Sequence, residues 1–156
     1  MSKVIIVSRY FPTYHNRSGE ETFFVEKIWE SLGIVPEDNP LLCESDFDLI
    51  NEYEPKHHTI RAGNRWKVGD KASLRVWSGK PRRSKQIIIA PDVEIKKIWS
   101  FVCTGQYFYL NDKQIDVTSS DVPRNDGLSS DDFLGWFPES NSFEGQVLSW
   151  NGDIEY

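Results

Sequence analysis

The stretch KHHTIRAGNRWKVGDKASLRVWS, residues 56–78, is where the chain changes character. Upstream, residues 34–55 carry Pro36, Pro40 and Pro55 among acidic side chains, which reads as a long loop with at most a helical turn near Glu44–Glu52. From Lys56 onward the pattern is one of short strands. His57–Arg61 is short and extended, and Val68-Gly69-Asp70-Lys71 is a turn. Ala72–Ser78 then sets Leu74 and Val76 against Arg75 and Trp77, the period of two that a strand requires.

Working outward, Gly79-Lys80-Pro81 opens a base-rich loop, and Gln86–Ala90 reads as a buried strand. Asp92–Thr104 and Tyr107–Asp116 fit longer strands with turns at Gly105 and Asn111-Asp112, and Gln146–Trp150 is the last strand. In the other direction, Lys3–Tyr10 reads as a first strand and Pro12–Gly19 as a loop. Ser18 stands three residues before Glu21 in capping-box spacing, and Val25, Ile28, Trp29 and Leu32 follow at helical spacing. A helix from about 20 to Gly33 is expected. Ser129 and Asp132, with Leu128 and Phe133 as a hydrophobic staple, predict a second helix running to about Phe137 and stopped by Pro138. Many short strands with two helices is an α+β pattern, best satisfied by a small mixed or antiparallel β-barrel with flanking helices. One domain over 1–156 is expected: a strand, helix and loop extension over 1–55, and a barrel core with the second helix over 56–156.

Composition narrows the classes. At 156 residues, with 38% hydrophobic and 13% aromatic side chains, the chain has the length of one domain and too much to bury for a disordered one. Its longest apolar runs, Val4–Val7 and Ile87–Ala90, are strand-sized, and the first breaks at Ser8-Arg9, so neither a membrane span nor a secretory signal is expected. Cys43 and Cys103 lie far apart and read as two structural thiols in a reducing, cytoplasmic compartment. His15, His57 and His58 are the only imidazoles and none has metal-ligand spacing, nor is there a phosphate-cradling glycine loop. No metal and no cofactor are expected.

The formal net charge of −6 hides a sharp asymmetry. Residues 56–85 hold ten bases (Lys56, Arg61, Arg65, Lys67, Lys71, Arg75, Lys80, Arg82, Arg83 and Lys85) against Asp70 alone, or +9. The remaining eight bases and 23 acids leave −15 elsewhere. Such a division suggests a basic face or groove for an anionic ligand, while the acidic majority opposes nonspecific coating of nucleic acid. Trp66 and Trp77 fall inside the basic segment, and Trp77, alternating with Leu74 and Val76, is the stacking candidate. Trp29, Trp99, Trp136 and Trp150 read as core.

The densest constellation is Lys56-His57-His58-Thr59-Ile60-Arg61. On a regular strand His57, Thr59 and Arg61 share a face and Lys56 points away, unless Pro55 starts the strand with a bend that brings the ammonium round. A hydroxyl nucleophile beside a desolvated Lys base is workable chemistry, and a neighbouring Arg holds a phosphate, carboxylate or developing oxyanion.

Lys56-x-x-Thr59-x-Arg61, followed by Lys67-x-Gly69-Asp70 opening an alternating strand, resembles the ASCH domains of the PUA-like superfamily. The resemblance spans roughly 56–150 and implies a small β-barrel with a cleft on one side. One small bacterial branch of that superfamily is similar to an amidohydrolase that removes the acetyl group of N4-acetylcytidine, with a K-x-x-T-x-R motif and a carboxylate just before a helix. Lys56, Thr59 and Arg61 match that motif position by position. Asp126 is the best match for the carboxylate, one methylene shorter than the branch's Glu, with Asp121 as a lesser candidate. Residues 14–22 look like the pre-helix segment of longer ASCH-like proteins of bacteria and phages, which implies that His15 and Arg17 reach the ligand.

Two main readings follow. In the first, a basic cleft binds RNA or a nucleotide or modified nucleoside, with Arg61, His15, Arg17, His58, Arg65, Trp77 and Tyr14 as contacts. In the second, Thr59 is the nucleophile of an amidohydrolase, Lys56 its base, Arg61 the clamp and Asp126 the Lys orienter. Convergence of Lys56, Thr59 and Asp126 in a cleft favours the enzyme, and an open groove lined by Arg61 and Arg65 favours binding. A protein-interaction module with an acidic partner is the third reading.

Overall fold

The computed structural model describes residues 2–34, 54–138 and 142–156. Cys43 and the expected helical turn at Glu44–Glu52 lie outside them. Nine strands and three helices are described: β1 (Lys3–Ile6), α1 (Phe24–Leu32), β2 (His58–Ala62), β3 (Lys71–Trp77), β4 (Gln86–Ile88), β5 (Val93–Glu94), β6 (Lys97–Thr104), β7 (Tyr107–Leu110), β8 (Lys113–Ile115), α2 (Val122–Asn125), α3 (Ser130–Trp136) and β9 (Phe143–Ser149). The chain is α+β, as its pattern indicates. It does not close into a barrel. Its strands form two sheets, one of β1, β3, β4 and β5 and the other in the order β2-β9-β6-β7-β8.

In the first sheet β1 runs parallel to β3, while β4 and β5 pair antiparallel with opposite halves of β3. The segment 86–94 is thus one return strand broken around Pro91, which has no N–H to give a ladder. Ile89 and Ala90 are buried but Ile88 is 56% exposed, so this run is not buried throughout. Ile95 and Lys96 separate β5 from β6, and Asp92–Thr104 is therefore two strands, one in each sheet. Asn111 and Asp112 both adopt positive φ (49° and 67°), the conformation of a tight turn between β7 and β8.

Alternation along β9 separates two cores. Val147 faces an aromatic cluster with Phe101, Phe108, Phe133 and Trp99, and Leu148 faces a cluster with Trp29, Leu74, Val76 and Ile95. The second sheet is therefore buried on both faces, against α2 and α3 on one side and against α1 and the first sheet on the other. Trp29 adds a hydrogen bond from its indole Nε1 to the Ile89 carbonyl at 2.6 Å.

The helices differ from the sequence pattern at one end. Ser129 caps α3 as expected, its hydroxyl accepting from the Asp132 N–H at 3.1 Å. Helix α1, however, starts at Phe24 rather than near residue 20, and Ser18 and Glu21 form no capping box. The backbone of 20–22 is already committed: Glu20 O accepts from Phe11 N, Thr22 N donates to Arg9 O, and Glu21 bridges Tyr10. The Thr22 hydroxyl takes over at the helix entrance, accepting from Phe24 N at 3.2 Å.

Candidate functional site

The edge strands of the two sheets, β1 and β2, meet without a backbone ladder. A side chain spans the seam instead: the Arg61 guanidinium donates to the Ile6 carbonyl at 2.7 Å. A cavity of about 70 Å³ opens in this seam, lined by Val7 and Ser8 after β1, Thr59, Ile60 and Arg61 of β2, Lys56, Asp126 and Leu128, and Phe24, Trp136 and Phe137. The missing barrel closure and the cavity are one feature.

Lys56 precedes β2, so strand alternation does not govern where it points. Its backbone N–H donates to Lys27 O and that of His57 to Asn125 O, tying this segment between α1 and α2. The Lys56 side chain is 2% exposed. Its ammonium donates to the Asp126 carboxylate at 2.9 Å and to the Asp126 backbone carbonyl at 2.8 Å. It also lies 4.2 Å from the centre of the Phe24 ring. Asp126 sits at the end of α2 and is followed by Gly127 at φ 82°. A Cβ on Gly127 would stand 3.2 Å from the Cβ of Lys56, so glycine provides both the backbone conformation and the close approach.

Burial pushes the Lys56 ammonium below its ordinary value, with Asp126 opposing the shift and Arg61 adding to it. Burial alone would raise the Asp126 carboxyl, but the adjacent Lys56 and His58 outweigh it and hold the acid below the usual carboxylate range. The resting state is an ion pair whose cation gives up its proton more readily than a surface lysine.

His58 extends the network away from the cavity. It is fully buried, with Nδ1 3.2 Å from the Asp126 carboxylate and Nε2 2.6 Å from the Tyr156 hydroxyl. Burial lowers its pKa, so the ring is neutral, and the carboxylate selects the tautomer with the proton on Nδ1. Tyr156, whose hydroxyl burial keeps protonated, then donates to Nε2 and accepts from Asn125 Nδ2 at 2.9 Å. The Asp126 carboxylate is thus held from two sides.

Thr59 is 4% exposed and lines the cavity, and its hydroxyl makes no hydrogen bond among the described residues. The Nε of Arg61 is enclosed and likewise has no partner among the described residues. An unpaired buried donor costs about 1–3 kcal/mol.

The other anticipated contacts lie elsewhere. His15 is buried, but its Nδ1 accepts from Arg17 N and its Nε2 donates to the Asp132 carbonyl at 2.8 Å, leaving neither nitrogen for a ligand. A Cβ on Gly135 would stand 2.5 Å from that Nε2, so this clamp depends on glycine. Arg17 pairs with Asp132 at 2.5 Å and with Glu20 at 3.3 Å. Tyr14 is 58% exposed and donates to the Trp136 carbonyl, which puts it beside a cavity-lining residue. Arg65 and Trp77 are not among the lining residues, and neither are seven other bases of the basic segment apart from Lys56 and Arg61. The basic segment and the cavity are therefore mostly separate places. Trp136, read from sequence as core, is half-buried and lines the cavity. Asp121 pairs with Arg124 at the surface.

A larger hollow of about 920 Å³ lies on β7, β8 and α3, lined mainly by apolar and amide side chains, with Asp116 bonded to Thr118. It brings together no reactive pair. Among the described residues no group of His, Cys, Asp and Glu could hold a metal ion, and no helix is long and apolar enough to cross a membrane. Cys103 is buried and unpaired. The chain matches no family model, no curated protein and no solved structure.

Proposed function

We propose that the seam cavity is the active site of an amidohydrolase that cleaves a small acyl group from an N4-acylated, cytidine-type nucleoside. The observation that carries this reading is the convergence of Lys56 and Asp126 at 2.9 Å, in a cavity also lined by Thr59 and Arg61. Of the three readings that the sequence leaves open, convergence is the mark of the enzyme.

The chemistry assigns one role to each group. The Thr59 hydroxyl attacks the acyl carbonyl as its proton passes to the neutral form of Lys56, which burial makes accessible. The Arg61 guanidinium, which lines the cavity, stabilises the developing oxyanion. As the C–N bond breaks, Lys56 returns the proton to the leaving amine, and water then hydrolyses the Thr59 ester to release the acid. Asp126 keeps the Lys56 nitrogen in place. At about 70 Å³ the cavity holds the volume of about two waters at roughly 30 Å³ each, the scale of a small acyl group and not of a whole nucleoside. The acyl end enters and the base and sugar stay at the mouth. The nucleoside part of the reading rests on the Lys56-x-x-Thr59-x-Arg61 resemblance, and the exposed Tyr14, bonded to the carbonyl of cavity-lining Trp136, is available to stack on a base.

Incubation with N4-acetylcytidine, followed by chromatography for cytidine and acetate, tests the proposal. Release by the wild type and its loss in Thr59→Ala are expected. No release from N4-acetylcytidine or its propionyl analogue overturns it.

A further inference from the structure

The bases that the cavity leaves unused cluster in one place. Lys80, Arg82, Arg83 and Lys85 are all exposed on the connection between β3 and β4, and none makes an ion pair among the described residues. Four cations in six residues, with no acid among them, form the densest positive patch of the chain.

This connection has a defined shape. Ser78 N donates to Lys85 O at 2.8 Å and closes its base. The Ser84 hydroxyl accepts from Gly79 N at 3.0 Å and donates to Lys80 O at 2.8 Å, while Arg83 N donates to Lys80 O at 3.1 Å. Arg82 takes a positive φ of 65° within the turn. The four side chains are therefore presented from a backbone that is already ordered, which lowers the entropy of binding a partner.

The arm also has a definite position. Ile6 pairs with Arg75 in the parallel ladder, and Val7 N donates to Arg75 O, so the end of β3 lies beside Val7 and Ser8, which line the cavity. With strands roughly 4.8 Å apart and about 3.3 Å per residue, Lys80 leaves the sheet on the order of 10 Å from Ser8. Tyr10 and Tyr14, 48% and 58% exposed, follow Ser8 on the same stretch of chain.

We propose that the Lys80–Lys85 arm binds the phosphodiester backbone of a single-stranded nucleic acid and leads one of its bases to the mouth of the seam cavity. Unpaired cations that contact successive phosphates, beside exposed aromatic rings for unstacked bases, make up the recognition chemistry of single strands. The proposal does not depend on the cavity being catalytic. It deepens the nucleoside reading by making the substrate a residue within a strand rather than a free nucleoside.

The test is fluorescence anisotropy with labelled single-stranded 12-mers of mixed sequence, one RNA and one DNA, over a salt series. The variant replaces Lys80, Arg82, Arg83 and Lys85 together by Gln. These side chains are exposed, and circular dichroism verifies that the variant keeps its fold. With four phosphate contacts, the slope of log K against log salt should flatten by about 3, and affinity at 0.1 M salt should fall on the order of 10²-fold. Lys113→Gln, which removes one exposed cation on β8 outside both the arm and the cavity lining, should bind like the wild type and separates the arm from a general charge effect. Three results overturn the proposal: no binding of either 12-mer by the wild type, an unchanged salt slope in the variant, or arm-dependent binding only to phosphatidylserine vesicles.

Discussion

Replacing Asp126 by Asn tests the central assignment, that Lys56 is a buried cation held by a single carboxylate. The substitution keeps the shape and an oxygen that can accept from His58, but removes the charge 2.9 Å from the Lys56 ammonium. Removing one partner of a buried ion pair costs about 3–5 kcal/mol, because the other charge stays desolvated and uncompensated. For a chain of this size each kcal/mol lowers Tm by roughly 2–4 °C, so calorimetry at pH 7 should show a loss of roughly 6–20 °C. The pH dependence is as specific as the magnitude. The wild-type Asp126 carboxyl lies below its ordinary value, so its contribution is present above about pH 4 and is lost as pH falls through the folded value. Asp126→Asn should lack that acid loss. Burial holds Lys56 below its ordinary value, so the folded state binds fewer protons than the unfolded chain on the alkaline side, and stability there rises with pH. Without the opposing pull of Asp126 that rise becomes steeper. Adding Lys56→Met to Asp126→Asn removes the stranded charge and should recover most of the lost Tm. A loss below about 2 °C in the single variant, or a double variant no more stable than it, would refute the buried-pair assignment.

Two further outcomes follow from the same network. Tyr156→Phe leaves the buried Nε2 of His58 without its donor at 2.6 Å, an unmade hydrogen bond of about 1–3 kcal/mol, and nitrogen NMR of the imidazole should show a shifted Nε2 resonance while the proton stays on Nδ1 beside Asp126. Unchanged His58 nitrogen shifts would show that the hydroxyl does not donate to Nε2. Gly127→Ala places a Cβ 3.2 Å from both Lys56 and Lys27 at φ 82° and should lower stability by about 1–2 kcal/mol in urea titration, whereas an unchanged midpoint would mean that the close approach to Lys56 is not required.

Much of the local structure is legible in the chain. Leu74 and Val76 alternate and are fully buried on β3, Ser129 caps α3, and Asn111-Asp112 turns between β7 and β8. Each depends on chemistry within a few residues. The α1 boundary does not: Ser18 and Glu21 have capping spacing, but pairing of 20–22 with 9–11 claims their backbone, and neighbouring chain outranks a local signal. Pro91 is visible as a strand breaker, but the switch between the two sheets at Ile95 and Lys96 carries no such residue signal.

The candidate site divides in the same way. Lys56, Thr59 and Arg61 stand out by residue type and spacing, Asp126 only through the motif resemblance, and the +9 segment by counting. Only the tertiary structure decides that Lys56 turns inward, because hydrogen bonds from its own backbone to Lys27 and from that of His57 to Asn125 set its direction, not strand parity. His15 and Arg17 look free in sequence and are consumed by α3, while Tyr156, nearly one hundred positions from His58, completes the network. Net charge and strand periods are sums over neighbours along the chain, and the sequence determines them by itself. A cavity is a gap between surfaces that meet only after folding, here the unpaired edges of β1 and β2, so its place, its lining and its separation from most of the basic side chains belong to the fold.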